Sequence, residues 1–268
     1  PIAVGARVLP TAAGNLAVGL DVPTWIKNGL LDFVVPNYYG DNQMNADFPF
    51  EWLVDLGRST GCQVFPALQA KVLSVGEQEG SAAHYYGGAA SYYGKGADGL
   101  YFPWFAWPVG AQERQLHSEL HDPDGLGEKA KHYVVGRSDE AAASFGYTAQ
   151  LPVTLTEGKD APGQAVQVYV ADSSDRAEAR LRLRLSDSTT HDSITVSFNG
   201  APLAEEGSRR SSHGYTDAGL EFDLPGGALR NGVNEVAVAV HSRPPNLASP
   251  LVMDSVEIIV NYSKPQPA

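Results

Sequence analysis

Ala179–Leu185 reads ARLRLRL, a strict alternation of leucine and arginine inside the second half of the chain. A β-strand turns successive side chains to opposite faces, so this run has one face of guanidiniums and one of leucines. That is the pattern of an antiparallel sheet with one side packed and one side wet. Working outward, Val166–Val170, Ser193–Phe198, Gly219–Leu224, Glu235–Val240 and Val256–Val260 are short runs of the same kind. Asn199-Gly200, Pro225-Gly226-Gly227 and Asn231-Gly232 punctuate them as turns. No helix-length period occurs after residue 148, and this half is expected to be a β-sandwich or jelly roll.

The first half has a different grammar. It holds all four Trp, nine of the twelve Tyr and seven of the nine Phe. Apolar runs at Ile2–Leu9, Asp32–Tyr39, Gln63–Gln69 and Asp98–Phe105 read as strands. Each is followed by a helix pattern: Asn15–Asn28, Pro49–Arg58, Ser81–Tyr93 and Ala111–His121. Strand–helix repeated four times implies βαβ units and a parallel sheet. The expected fold class is therefore α/β plus all-β, a partial (β/α) barrel of four βα units followed by an antiparallel β-sandwich. The expected domains are 1–140 and 141–268, joined through the Gly-, Ser- and Ala-rich stretch Val134–Ala149.

Composition narrows the function classes. A 268-residue chain that is 43% hydrophobic can bury a core and is not a disordered one. No apolar run approaches the roughly 20 residues of a membrane helix. The single Cys62 excludes an internal disulfide framework and a Cys-rich zinc site, without settling the compartment; a secreted or periplasmic one is compatible with it. Nineteen Lys and Arg against 31 Asp and Glu leave a net charge of −12, spread over both halves, which suits neither nucleic acid nor anionic lipid.

Gly19–Asn42 (GLDVPTWIKNGLLDFVVPNYYGDN) and Tyr92–Trp107 (YYGKGADGLYFPWFAW) resemble the family-10-like glycosyl hydrolases of bacteria, which are (β/α)8 barrels. Ser193–Leu203 (SITVSFNGAPL) and Leu220–Val240 (LEFDLPGGALRNGVNEVAVAV) look like the galactose-binding-like jelly roll that often follows such barrels. The resemblance implies that the four strands are the last four of a barrel, with four preceding ones absent. Three resolutions are open: a longer parent chain, a lost N-terminal segment, or a homodimer in which two half-barrels complete each other. Truncation of a longer parent is favoured over the dimer.

In a parallel barrel the active site lies at the C-terminal strand ends. Those ends carry Arg7, Tyr39, Asp41, Asn42, Gln69, Lys71, Trp104 and Trp107, aromatic plates beside amides, a carboxylate and cations, a set that suits a sugar. Asp41 is the candidate acid or base of a glycoside hydrolase acting on a poly- or oligosaccharide, the others its substrate site. Two carboxylates are the normal requirement, and Gln69 stands where retaining barrel enzymes carry a Glu, so a non-catalytic glycan-binding module is the alternative. A third reading, an esterase using Ser59 of Gly57–Gly61 (GRSTG), lacks the strand–Ser–helix order it needs. His117 and His121 share a helix face without a third ligand, and Asp122–Gly125 reads as a helix stop, so no metal and no cofactor is expected, although calcium is not decided. His84 reads as a core or groove histidine, and the loop Glu205–Tyr215 as solvated.

Overall fold

The computed structural model describes residues 2–38, 43–74, 76–103, 109–137, 143, 147–159, 163–172, 177–204, 208–213 and 217–262; of residues 73–79, 208–213 and 217–218 only the backbone is described. The chain opens with β1 (Gly5–Val8), α1 (Ala12–Ala17), α2 (Val22–Lys27), β2 (Phe33–Pro36), α3 (Glu51–Thr60) and β3 (Gln63–Val64). The helix pattern expected over Asn15–Asn28 is two short helices. Gly19 takes a left-handed φ of 83°, Asp21 then recaps the chain by accepting from Thr24 N, and Pro23 sits in the new first turn. Strands β1, β2 and β3 form one parallel sheet in that order. Asn37 and Gln69 follow the second and third of its strands.

The hairpin β4 (Lys71–Ser74) and β5 (Gly76–Glu79) leads into α4 (Ala82–Gly94), and α5 (Ala111–Glu119) follows. Helix α4 is rich in Gly and Ala because it lies almost against a strand: a Cβ at Gly87 would stand 2.5 Å from the His132 carbonyl oxygen. Its tyrosines 85, 86 and 92 are buried.

The remaining strands are β6 (Lys131–Gly136), β7 (Val153–Leu155), β8 (Gln164–Val170), β9 (Ala177–Ser186), β10 (Ser193–Phe198), β11 (Ala201–Pro202), β12 (Ser208–His213), β13 (Asp217–Asp223), β14 (Gly232–Ser242) and β15 (Leu251–Tyr262). They make two antiparallel sheets, one ordered β11-β10-β14-β8 and the other β12-β13-β9-β15-β6, with β7 also on β15. Leu181, Leu183 and Leu185 of the opening run are fully buried, together with Val256, Ile258 and Val260 of β15, the valines of β8 and Val236, Val238 and Val240 of β14. The turn at Asn199-Gly200 has positive φ at both residues (51° and 82°), as a two-residue hairpin requires. Asn199 is locked there, donating to the Ala228 carbonyl (2.9 Å) and to Oδ1 of the buried Asn234 (3.0 Å).

The half-barrel is not formed, and the α/β assignment is corrected. The third expected strand shrinks to Gln63–Val64, and the fourth is a single bridge between Ala67 and Tyr101. Pro66 and Pro103 stand in those two runs and carry no N–H for a ladder. The described residues hold fifteen strands against five α-helices, a mostly-β fold. Strand β6, earlier in sequence than the expected boundary at 140, lies beside β15 with Val134 opposite Glu257.

Candidate functional site

Five of the residues expected at the strand ends, Tyr39, Asp41, Asn42, Trp104 and Trp107, lie outside the described residues. Arg7 is exposed, its guanidinium 5.8 Å from the centroid of the Tyr101 ring. Lys71 opens β4 and is half-buried, with its carbonyl accepting from Met44 N (2.7 Å). Gln69 is buried and donates from Nε2 to Oδ1 of the equally buried Asn37 (2.8 Å); its own Oε1 has no partner among the described residues. Asn37 is the neighbour that sequence reading passed over in favour of Tyr39. Ser59 lies within the last turn of α3 and donates to the Leu56 carbonyl, so it is no nucleophile elbow. Asp98 accepts from Val64 N and ties the chain at the far end of the sheet. Among the described residues no three His, Cys, Asp or Glu side chains gather as for a metal.

The densest array of chemistry is instead on the outer face of the larger antiparallel sheet. Arg180, Arg182 and Arg184 point away from the core, and the strands on either side supply carboxylates in register: Asp223 and Glu221 from β13, Glu257 from β15. Arg180 Nε lies 3.0 Å from Asp223, Arg182 Nε 2.7 Å from Glu221, and Arg184 Nε 2.9 Å from Glu257. Arg182 also reaches Glu257 at 3.4 Å. Three guanidiniums and three carboxylates thus alternate across three strands, with no net charge.

At the β6 side the ladder ends in two histidines. His132 Nε2 lies 2.8 Å from Glu257 Oε2, and its ring is stacked on that of His84, centroids 4.0 Å apart. The backbone N–H of Ser81 donates to His84 Nδ1 (3.1 Å), which makes that atom an acceptor, and the Ser81 hydroxyl, 2.8 Å away, donates to it as well. His84 thus sits at the third position of a capping box and walls the ladder from above. Burial, and then the neighbouring His132, push His84 down from its ordinary 6.5 to about 4. Burial pushes the Glu257 carboxyl up, but the His132 hydrogen bond and charge, with Arg184 behind them, outweigh it and hold the group at about 2. Glu257 is therefore ionised, and the His84 imidazole neutral, over the whole physiological range.

Behind β6 lies a second polar group of a different kind. Lys131, 1% exposed, gives its Nζ protons to the Gly127 and Lys129 carbonyls (3.0 and 3.2 Å) and to Asp172 Oδ1 (2.9 Å). Tyr133 and Tyr262 donate to the same carboxylate at 2.6 and 2.5 Å. A cleft of about 250 Å³ between α4 and the residues 123–127 touches Lys131, and is otherwise lined by apolar groups such as Ala90, Tyr93 and Leu126. The ammonium at this cleft is committed to three acceptors and is not free to read a hydroxyl.

Of these features the ladder, the two histidines and Ser81 all fall in the stretch 71–258, which matches the sequence profile of a family described as CBM-like, polysaccharide lyase family 4, domain III. Arg7, Tyr39, Asp41, Asn42 and Gln69 precede that stretch. No curated protein matches the chain. Two crystal structures of a two-domain esterase active on acetylated mannans, one with mannopentaose, are 12% and 11% identical and cover 96% and 97% of this chain and 80% and 79% of theirs. Their TM-scores of 0.26 and 0.25 fall short of a shared fold. The profile covers most of this chain, and it makes the protein a carbohydrate-related one: the chain belongs to the CBM-like family of polysaccharide lyase family 4, domain III.

Proposed function

We propose that this chain is a non-catalytic glycan-binding module that takes a neutral poly- or oligosaccharide on the Arg–Glu ladder of its larger sheet. One observation carries the reading: donors and acceptors alternate across the face without net charge. A pair of vicinal hydroxyls donates and accepts at once, and a guanidinium–carboxylate rung answers both functions in a plane. Arg182 and Arg184 are already held by Glu221 and Glu257, so little rotamer freedom remains to be lost on binding. A polyanion would meet three carboxylates here on a chain of charge −12. Hydrolysis on this face is disfavoured, because a general acid must hold a proton near neutral pH and Glu257 does not.

The test is calorimetric titration with a neutral mannan and glucan beside polygalacturonate. Binding to a neutral polymer is expected, changing little between low and high salt. Arg180→Leu, at the open rung where the arginine and Asp223 are 39% and 55% exposed, is expected to weaken it about tenfold or more, the value of a lost charged hydrogen bond. Preference for polygalacturonate, or a variant that binds like the parent, defeats the proposal.

A second reading is favoured by one observation, the buried Gln69 Oε1 with no partner among the described residues, an acceptor suited to a sugar hydroxyl. In it Asp41 is the acid or base of a glycoside hydrolase, with Arg7, Tyr39, Asn42, Gln69, Lys71, Trp104 and Trp107 around the sugar. Release of reducing ends by the parent but not by Asp41→Asn would decide for it.

A further inference from the structure

We infer that the ladder takes the terminal sugar of a glycan and not a stretch of its interior, one ring seated over Ile259 with its hydroxyls on Arg180 and Asp223. The inference rests on the glycan-binding function proposed above and narrows its ligand from a chain to a chain end. Register sorts the outward residues of the larger sheet into rows. Asp223, Arg180, Ile259 and His132 make the first row, and Glu221, Arg182, Glu257 and Val134 the second. Gly219, Arg184, Ser255 and Gly136 make the third. Rows two residues apart along a strand are separated by about 6.8 Å, so each further row needs a further sugar unit.

Solvent reaches these rows unequally. The side chains of Asp223 and Arg180 are 55% and 39% exposed, against 14% and 27% for Glu221 and Arg182. Glu257 and Arg184 are down to 2% and 15%. Val134 in the second row and Gly219, Ser255 and Gly136 in the third are buried. A glycan laid along the three arginines would have to enter this covered end, whereas a chain end needs the first row alone. Across the strands the way is closed too, because the His84 ring stands on His132 at the β6 side, centroids 4.0 Å apart. The rest of the glycan leaves over Glu178 and Asn261, the exposed pair beyond Arg180.

The first row has the chemistry of a single sugar site. Half-buried Ile259 offers an aliphatic floor for the C–H face of a ring, beside a few placed polar groups that fix its orientation. The Arg180 guanidinium donates and the Asp223 carboxylate accepts, 3.0 Å apart, and Arg180 is steadied by Glu221 at 3.6 Å. A terminal ring also keeps the hydroxyl that an interior ring gives up to its next linkage, so it presents one more diol to such a rung.

Calorimetric titration with unbranched manno-oligosaccharides and gluco-oligosaccharides of two to six units tests this. In the series that binds, the dissociation constant is expected to change less than about twofold from dimer to hexamer, with one protein chain per molecule. A site for the chain interior gains contacts and registers with every added unit. A gain of about fivefold or more over the series, or several protein chains on one long polymer, overturns the inference and leaves glycan binding itself in place. Binding of neither series overturns both. Arg180→Leu is expected to weaken binding about tenfold or more at every length, and Asp223→Asn, at an exposed side chain, serves if that variant fails to fold. Variants that bind like the parent put the terminal sugar elsewhere and overturn the inference.

Discussion

Replacing Asp172 by Ala is expected to cost the fold about 3–5 kcal/mol, because it strands a buried ammonium. Lys131 Nζ would keep its two carbonyl acceptors and lose the carboxylate that pairs with it at 2.9 Å. Tyr133 and Tyr262 would lose the carboxylate oxygens, Oδ2 and Oδ1, to which they donate, and each unsatisfied hydroxyl adds about 1 kcal/mol or more. Against a total stability of about 5–15 kcal/mol, the melting temperature should fall by about 10 °C or more. The loss reflects an unpaired charge and not a strong pair, so removing both partners, Asp172→Leu with Lys131→Met, should recover much of it. Urea unfolding of the parent, the single and the double variant measures this. A single variant within about 1 kcal/mol of the parent, or a double variant no better than the single, would count against the account. The consequence is wider than one strand. Lys131 opens β6, Asp172 follows β8, Tyr262 closes β15, and Tyr169 of β8 donates to the Gly94 carbonyl at the end of α4 (2.7 Å), so the network fastens that helix and both sheets together.

What the sequence disclosed of this arrangement was its local half. The alternation in Ala179–Leu185 is visible without a structure because the two-residue period is written in consecutive positions, and the three leucines are indeed the packed side of β9. Asn199-Gly200 is visible for the same reason, since few residues accept positive φ twice in succession. The ladder is invisible. Its carboxylates are 39, 43 and 73–75 residues from the arginines they meet, and only the register of β13 and β15 against β9 brings them to one face. His132 and His84 share no motif; they meet because Gly87 lets α4 lie on β6.

The first half was misread for a related reason. Four apolar runs followed by four helix patterns do not make four barrel units, since sheet closure depends on strand length and pairing. Runs such as Gln63–Gln69 and Asp98–Phe105 carry their prolines in the middle. Strand β6 runs into the stretch Val134–Ala149 that reads as linker for its Gly, Ser and Ala, yet Lys131 and Tyr133 are buried on one side and His132 meets Glu257 on the other. The candidate site at the strand ends was legible only as a residue inventory; of its three described members, Gln69 shows the buried polar atom, without a partner among the described residues, that a ligand site calls for.

Acid is expected to dismantle the fold in two separable steps, each assigned to one residue. His84 titrates at about 4 in the folded chain, below its ordinary 6.5, so the unfolded chain takes the proton first. Its contribution is whole above pH 6.5 and is lost as the pH falls from 6.5 to about 4, at most about 3 kcal/mol and less to the extent that the ring is wet. The groups facing it act in both directions: His132 and Arg182 repel the imidazolium, and Glu257 attracts it. Glu257 is held at about 2 against an ordinary 4.5, so its contribution is whole above pH 4.5 and disappears between 4.5 and 2, again about 3 kcal/mol. Stability plotted against pH should therefore begin to decline near 6.5, well before ordinary carboxylates protonate. His84→Gln is the informative variant, since a glutamine at the third helical position still accepts from the Ser81 N–H and preserves the capping box. It should flatten the limb from 6.5 to 4 and leave the lower limb in place, whereas Glu257→Gln should remove part of the lower limb and lower stability at neutral pH. Urea midpoints at half-unit pH intervals read both limbs. A parent that is flat between 6.5 and 4.5, or a His84→Gln chain with the parent's slope there, would show that the stacked imidazoles do not resist the proton.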